Sequence, residues 1–321
     1  NLTATIASPS SISGTASVTI TFGAATKLAV TTLAAGFINR TDFSTQPVVT
    51  IQDVSGNTVT SATDVVSVAI SSGNLTGTTT ATAVSGVATF SGLGKNGTVG
   101  SKTLTFSSGS LAVDTQTFAL TFGAATQLAQ TLPATVANGV ALSAQPIVTI
   151  QDADGNTVTS GSQATQSVTL TSSDSNISGT TSMAAVAGVA DFDGKGVTLT
   201  GTVGTRSITA AIASPSAITV DTTISLTHGA ATQVSIAVAS SLVNDTVFAT
   251  QPVVTIKDAS GNTVTTGSAA SQTVTLSSTD ATIGGTVSMT STAGVANFTG
   301  KGVKLTGLVG ARNLTATIAS P

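Results

Sequence analysis

QPVVTIQDVSGNTVT (46–60), QPIVTIQDADGNTVT (145–159) and QPVVTIKDASGNTVT (251–265) are one phrase written three times. Each copy holds an apolar, β-branched run, then Asp-x-x-Gly-Asn, then a second β-branched run. Gly supplies positive φ and Asn tolerates it. The phrase therefore predicts two strands joined by a tight hairpin. Its turn residues are Asp53, Gly56 and Asn57, then Asp152, Gly155 and Asn156, then Asp258, Gly261 and Asn262. Pro47, Pro146 and Pro252 stand at the start of the first strand, where a missing N–H does least harm.

Other phrases recur around it in a fixed order. GAAT starts at Gly23, Gly123 and Gly229, GVA-x-F at Gly86, Gly188 and Gly294, and Val-Gly at Val99, Val203 and Val309. Between them the runs alternate with period two, the pattern of strands half buried in a core. Val168 and Leu170 oppose Thr169 and Thr171; Leu314, Ala316 and Ile318 oppose Thr315 and Thr317; Ile208, Ala210 and Ile212 share one face. About seven short strands in about 100 residues predict an all-β chain of tandem immunoglobulin-like antiparallel β-sandwich domains. Length differences between copies fall between the phrases, where loops absorb them.

The GAAT spacings are 100 and 106 residues, and the nonapeptide NLTATIASP occurs at 1–9 and again at 313–321. Its period of 312 equals one spacing of 100 and two of 106. Residues 1–22 then read as the last strand region of a preceding domain. Domain A covers 23–122, domain B 123–228 and domain C 229–321. Domain C lacks a counterpart of ITVDTTISLT (218–227), and SISGTASVTITF (11–22) is that counterpart. Two readings follow. The chain continues covalently as a longer periodic array, or residues 11–22 complete domain C of a neighbour by strand donation, with Val18, Ile20 and Phe22 as the inserted face. An array requires the two nonapeptides to be identical and donation does not, which favours the array. Short junctions restrict bending, so a semi-rigid rod of roughly 100 Å per period is expected. The expected partner is the chain itself, head to tail, with side-by-side packing a further option.

The motifs resemble the bacterial immunoglobulin-like repeats of the invasin and intimin type. Those repeats run VTVTD-x-x-GN, then NGVAT, then G-x-x-x-VTA. Here the corresponding stretches are VTIQD-x-x-GNTV, GVATF and Val-Gly followed by an alternating strand. The resemblance covers essentially the whole chain and implies an extracellular stalk that projects a binding tip. No tip-like domain is present, so no receptor-binding residue carries over.

Composition excludes several function classes. Charged residues are 7% of the chain against roughly 25% in ordinary soluble domains, and the net charge is −3. Ten Lys and Arg are scattered singly with no aromatic platform, which argues against nucleic acid. No run of apolar residues is long enough to span a membrane. Cys, Trp and Tyr are absent, so there is no disulfide and no aromatic sugar platform. The single His, His228, stands before GAAT where the other copies have Phe22 and Phe122, and reads as a junction filler. A chain with one His, no Cys and no Glu has no evident catalytic set, so neither catalysis nor a cofactor is expected.

Four weaker candidates remain. Asp152, Asp154 and Asn156 match the first three positions of a calcium loop, but the glycine is misplaced and Gln163 stands where the bidentate acid belongs. Asn39, Asn74, Asn96, Asn176, Asn244 and Asn297, with Asn1 and Asn313, begin Asn-x-Ser/Thr and are N-glycosylation candidates. The outward Thr rows (Thr78 to Thr80, Thr169, Thr171, Thr315, Thr317) read as solvent-facing strand residues, as O-glycan carriers, or as a flat array for ice or polysaccharide. Lys27, the one Lys near a domain start, has Gln127 and Gln233 as counterparts, which argues against an isopeptide staple. The leading functional expectation is a structural extracellular fibre, stalk or sheath at a cell surface. The alternative is the repeat stalk of a bacterial adhesin that binds glycans or a host surface through a tip outside these residues.

Overall fold

The computed structural model describes residues 1–6, 12–174, 176–214 and 216–319. They form two compact units: Asn1–Ala125 with Gln151–Val158, and Thr126–Ile150 with Thr159–Pro321. The chain is all-β. Among the described residues the helical segments are two short 3-10 turns, Ser162–Thr165 and Ser268–Ser271.

In repeat A, strands Lys27–Thr32, Val48–Gln52 and Val87–Thr89 form one sheet. A second sheet runs, in spatial order, Asp114–Leu120, Gly100–Ser107, Val65–Ile70 and Thr80–Thr82. All pairings in these two sheets are antiparallel. Period two decides what each face meets. Val66 and Val68 are buried while Val65 and Ser67 are exposed. Val49, Ile51, Ala88, Phe90, Leu104 and Phe106 join them in one core between the sheets.

Repeat B repeats the plan. Its first sheet is Gln127–Thr131, Ile147–Gln151 and Val189–Asp191. Its second sheet is Thr135–Ala137, Ile218–Thr227, Gly204–Ile212, Ser167–Ser172 and Ser182–Ala184. Thr135–Ala137 joins in parallel, with Val136 opposite Leu226. Repeat C has Gln233–Ala237, Val253–Lys257 and Val295–Asn297 in one sheet and Ser288–Thr290, Thr273–Ser277 and Thr315–Ile318 in the other. Beyond Thr315–Ile318 there is no further strand among the described residues.

Ahead of repeat A, Leu2–Ile6 and Ile12–Ala16 form an antiparallel hairpin. Residues 1–26 align on 207–232 without a gap. The register agrees residue for residue: Leu2 faces Ala16 as Ile208 faces Thr222, and Ile6 faces Ile12 as Ile212 faces Ile218. The hairpin thus has the register of the last two strands of repeat B. Residues 7–9 of the first nonapeptide and 320–321 of the second lie outside the described residues.

Two turns differ from the sequence expectation. In Asp-x-x-Gly-Asn only the glycine takes positive φ, at 89°, 80° and 83° for Gly56, Gly155 and Gly261; the asparagines do not. Their side chains have another use, described below. Conversely, GVA-x-F begins with a two-residue turn. Val84 bridges Val87 across Ser85 and Gly86, which both have positive φ, the signature of a type I′ hairpin. Ala187 and Ala293 hold this position in the other repeats at φ 48° and 47°. Alanine is strained there and asparagine is not. Ala187→Asn is expected to raise stability by about 0.5–1 kcal/mol, read as a higher midpoint in urea unfolding; a lower midpoint would contradict the turn assignment.

Candidate functional site: a latch between successive repeats

Several of the buried polar side chains, Asn39, Asn138, Asp152, Asn156, Asp258 and Asn262, lie where one repeat meets the next. Asp152 organises its own turn: Oδ1 accepts from the backbone N–H of Asp154 and Asn156, at 3.0 Å each. Its Oδ2 accepts from Gly123 N at 2.9 Å, which ties the turn to GAAT. The same Oδ2 accepts from Asn39 Nδ2, in repeat A, at 2.8 Å. Asn39 Oδ1 in turn accepts from Gly97 N at 3.0 Å. Asn156 closes the circuit: its Nδ2 donates to Gly97 O at 2.9 Å and its Oδ1 accepts from Val99 N at 3.0 Å. All these residues lie in the first compact unit, which explains why Gln151–Val158 groups with repeat A.

The second junction, inside the other unit, uses the same atoms. Asn138 Nδ2 donates to Asp258 Oδ2 at 2.8 Å, and Gly229 N donates to that oxygen at 2.9 Å. Gly201 N donates to Asn138 Oδ1 at 3.0 Å, Asn262 Nδ2 to Gly201 O at 2.8 Å, and Val203 N to Asn262 Oδ1 at 3.0 Å. The glycine of GAAT is a matter of space. A Cβ on Gly229 would lie 2.4 Å from the Asn138 carbonyl oxygen, closer than atoms approach.

The first junction carries one addition. Arg40 Nε and its terminal nitrogen donate to the two oxygens of Asp154 at 2.8 and 2.9 Å, and Asn39 Nδ2 also reaches Asp154. Ser260 and Gly139 hold these positions at the second junction. There His228 contributes instead. Thr266 N donates to its Nε2 at 3.2 Å, leaving Nδ1, 3.0 Å from the Gly229 carbonyl, as the donor.

The aspartates are held ionised. Hydrogen bonds from Gly23 N, from the Asn57 amide and from Asn57 N lower Asp53 to about 2. Burial pushes Asp258 up, but the Asn262 amide, Gly229 N and the Asn138 amide outweigh it and leave it at about 2. The Arg40 guanidinium, above all, holds Asp154 well below the usual carboxylate range. A depressed folded-state value means stability that is full above the unfolded value of about 4 and is lost as pH falls toward about 2. The thermal midpoint followed by circular dichroism should therefore stay level from neutral pH down to about 4 and drop below it. A midpoint already falling between pH 7 and 5 would sink this account.

The structure brings Asp152, Asp154 and Asn156 together, as the calcium-loop reading requires. What their oxygens hold is N–H donors, with a guanidinium where a cation's charge would sit. Asn39 is 2% exposed, and the amide nitrogen a glycan would bond already donates to two aspartates. Asn74, Asn176, Asn244 and Asn297 are exposed and Asn96 is half-buried. Val18 and Ile20 lie on the surface at 61% and 90% exposure, with Phe22 at 38%. Sequence reasoning missed Asn39 and Asn138 as latch residues. Their signal was present: Asn39, Asn138 and Asn244 each precede by four residues a buried Phe43, Leu142 or Phe248.

The repeats are immunoglobulin-like β-sandwiches. No family model matches the chain, and no curated protein does. Among solved structures it is similar to invasin, titled a bacterial integrin-binding protein, at 15% identity and TM-score 0.35, over 88% of this chain and 60% of that one. It is similar to the D0-D1 domain of intimin at 20% identity and TM-score 0.23, over 60% of this chain and 95% of that one. Surface layer protein SbsC, domains 4–9, is similar at 16% identity and TM-score 0.25, over 92% of this chain and 47% of that one. No helix among the described residues is long and apolar enough to cross a membrane, and no group of three or more His, Cys, Asp or Glu gathers there.

Proposed function

We propose that this chain is a structural component of an extracellular fibre, stalk or sheath, and that its work is mechanical. One observation carries the reading: the same aspartate–asparagine–glycine hydrogen-bond circuit recurs at both junctions. A domain array that only needed to be tethered would not require a buried, hydrogen-bonded lock at every joint. Low charge and Thr-rich outer faces suit a surface polymer, since little repulsion opposes close packing.

Immunogold labelling of intact source cells with an antibody to the purified chain tests the proposal. Gold along fibres or a continuous layer outside the envelope is the expected result. Label confined to permeabilised cells would overturn it. Label only at the bases of projections, with a different protein at their ends, would replace it with the adhesin-stalk reading.

A further inference from the structure

Among the described residues, repeat C and the leading hairpin are complementary in their strands. In repeat B the closing strand Ile218–Thr227 lies between Gly204–Ile212 and Thr135–Ala137, and buries Ile224 and Leu226 to 1% exposure. In repeat C no strand among the described residues fills that place. A cavity of about 500 Å³ opens there, lined in part by Leu242, Phe248, Leu305 and Leu314. Leu242 and Leu314 are the counterparts of Val136 and Ile208, each 106 residues on. The closing strand's own counterpart is 12–21, in which Val18 and Ile20 match Ile224 and Leu226. The side chains of Val18 and Ile20, whose counterparts are core residues in repeat B, are exposed to solvent in the stretch that follows the hairpin.

The latch shows the same split. Asn244 is exposed and already accepts from Gly307 N at 3.0 Å, the arrangement that Asn39 and Asn138 show with Gly97 and Gly201. Val309 beside it is 99% exposed. At the other end of the sequence Asp53 is set in its turn with Gly23 N on Oδ2 at 2.8 Å, as Asp152 is with Gly123. One half-latch ends repeat C, and the other half begins repeat A.

We propose that copies of this chain join head to tail by strand exchange. In the joint, Thr315–Ile318 of one copy replaces Leu2–Ile6 of the next beside Ile12–Ala16. The two nonapeptides are identical, so the exchange changes no side chain in the pairing. Residues 17–22 then run on into the cavity of repeat C and place Val18 and Ile20 in its core. The Asp53 turn docks on the same repeat: Asn244 Nδ2 reaches Asp53 Oδ2, Asn57 Nδ2 reaches Gly307 O, and Val309 N reaches Asn57 Oδ1. A second copy is the occupant because this chain itself carries the matching strand and the matching turn, in the register and spacing that fill the same place in repeat B.

This rests on the fibre reading but is tested apart from it, with purified 321-residue chain. Light scattering after size exclusion should show oligomers in multiples of 31 kDa that grow with concentration. The double change Val18→Asp, Ile20→Asp should cut the oligomeric fraction at least about tenfold, since two side chains bound for a core become charged. Both positions are solvent-exposed in the single chain, so its melting should not move. Register is tested with single-cysteine variants, the native chain having none. Thr15→Cys and Thr315→Cys correspond to Asp221 and Thr209, which face each other in repeat B. Mixed and oxidised, they should give a disulfide-linked dimer that neither gives alone. A chain that stays monomeric, or a mixture no richer in dimer than its components, would overturn strand exchange. The fibre reading would then survive or fall on the cell labelling alone, with further residues of the same polypeptide as the strand's source.

Discussion

Asp258→Ala is expected to destabilise the second unit by about 3–5 kcal/mol and to uncouple repeat C from repeat B. The carboxylate accepts from Gly229 N, Ser260 N, Asn262 N, Asn262 Nδ2 and Asn138 Nδ2. Asp258 is 1% exposed and Asn262 7%, so the orphaned donors do not all regain water. The loss has two parts. One belongs to the turn and is local to repeat C. The other belongs to the latch and is shared with repeat B. Asn138→Ala removes only the latch arm, and about 1–2 kcal/mol should follow. Urea unfolding separates the two variants. Hydrogen exchange adds a site-specific reading, because the Val203 amide, held by Asn262 Oδ1, should lose protection in both. An Asp258→Ala chain within 1 kcal/mol of the parent, with Val203 still protected, would show that the network is decoration.

Gly294→Ala is expected to cost more than about 3 kcal/mol. Gly294 sits at φ +77°, and a Cβ there would lie 2.2 Å from the Val264 carbonyl oxygen. That atom belongs to backbone in the hairpin after the Asp258 turn and cannot swing aside. Gly300 supplies the control. Its φ is +76°, but nothing lies within 4 Å of the Cβ it would gain. Gly300→Ala should therefore cost only the conformational part, about 1 kcal/mol. The difference between the two variants isolates the steric part. Equal losses would mean that the Gly294 backbone relaxes freely, and that the recurrent GVA phrase records turn conformation alone.

The fold was legible because two local signals agreed. Period-two alternation named the strands, and Asp-x-x-Gly-Asn named a turn between them. Each depends only on neighbours in sequence, so each could be read without tertiary structure. The latch was harder for a physical reason. Asn57, Asn156 and Asn262 were explained by turn propensity, and that explanation looked complete. Only in three dimensions do Asn156 and Asn262 reach back to Gly97 and Gly201, about 60 residues earlier. Asn39 offered a competing local reading as a glycosylation sequon, while its burial depends on a turn 113 residues away. The twist of GVA-x-F was missed for the opposite reason. Ala187 and Ala293 are not residues that advertise positive φ, and the strain at them appears only in the backbone. Val18, Ile20 and Phe22 were legible from the sequence as one strand face, because the segment that holds them has a counterpart in repeat B; their exposure appears only in the structure.

Each repeat carries an acceptor turn for the repeat before it and an asparagine for the repeat after it. A joint therefore needs nothing that its two neighbours do not already own. Duplication or loss of a whole repeat in the gene would create or remove a junction without inventing an interface. Length can then drift by unequal recombination while every joint stays sound.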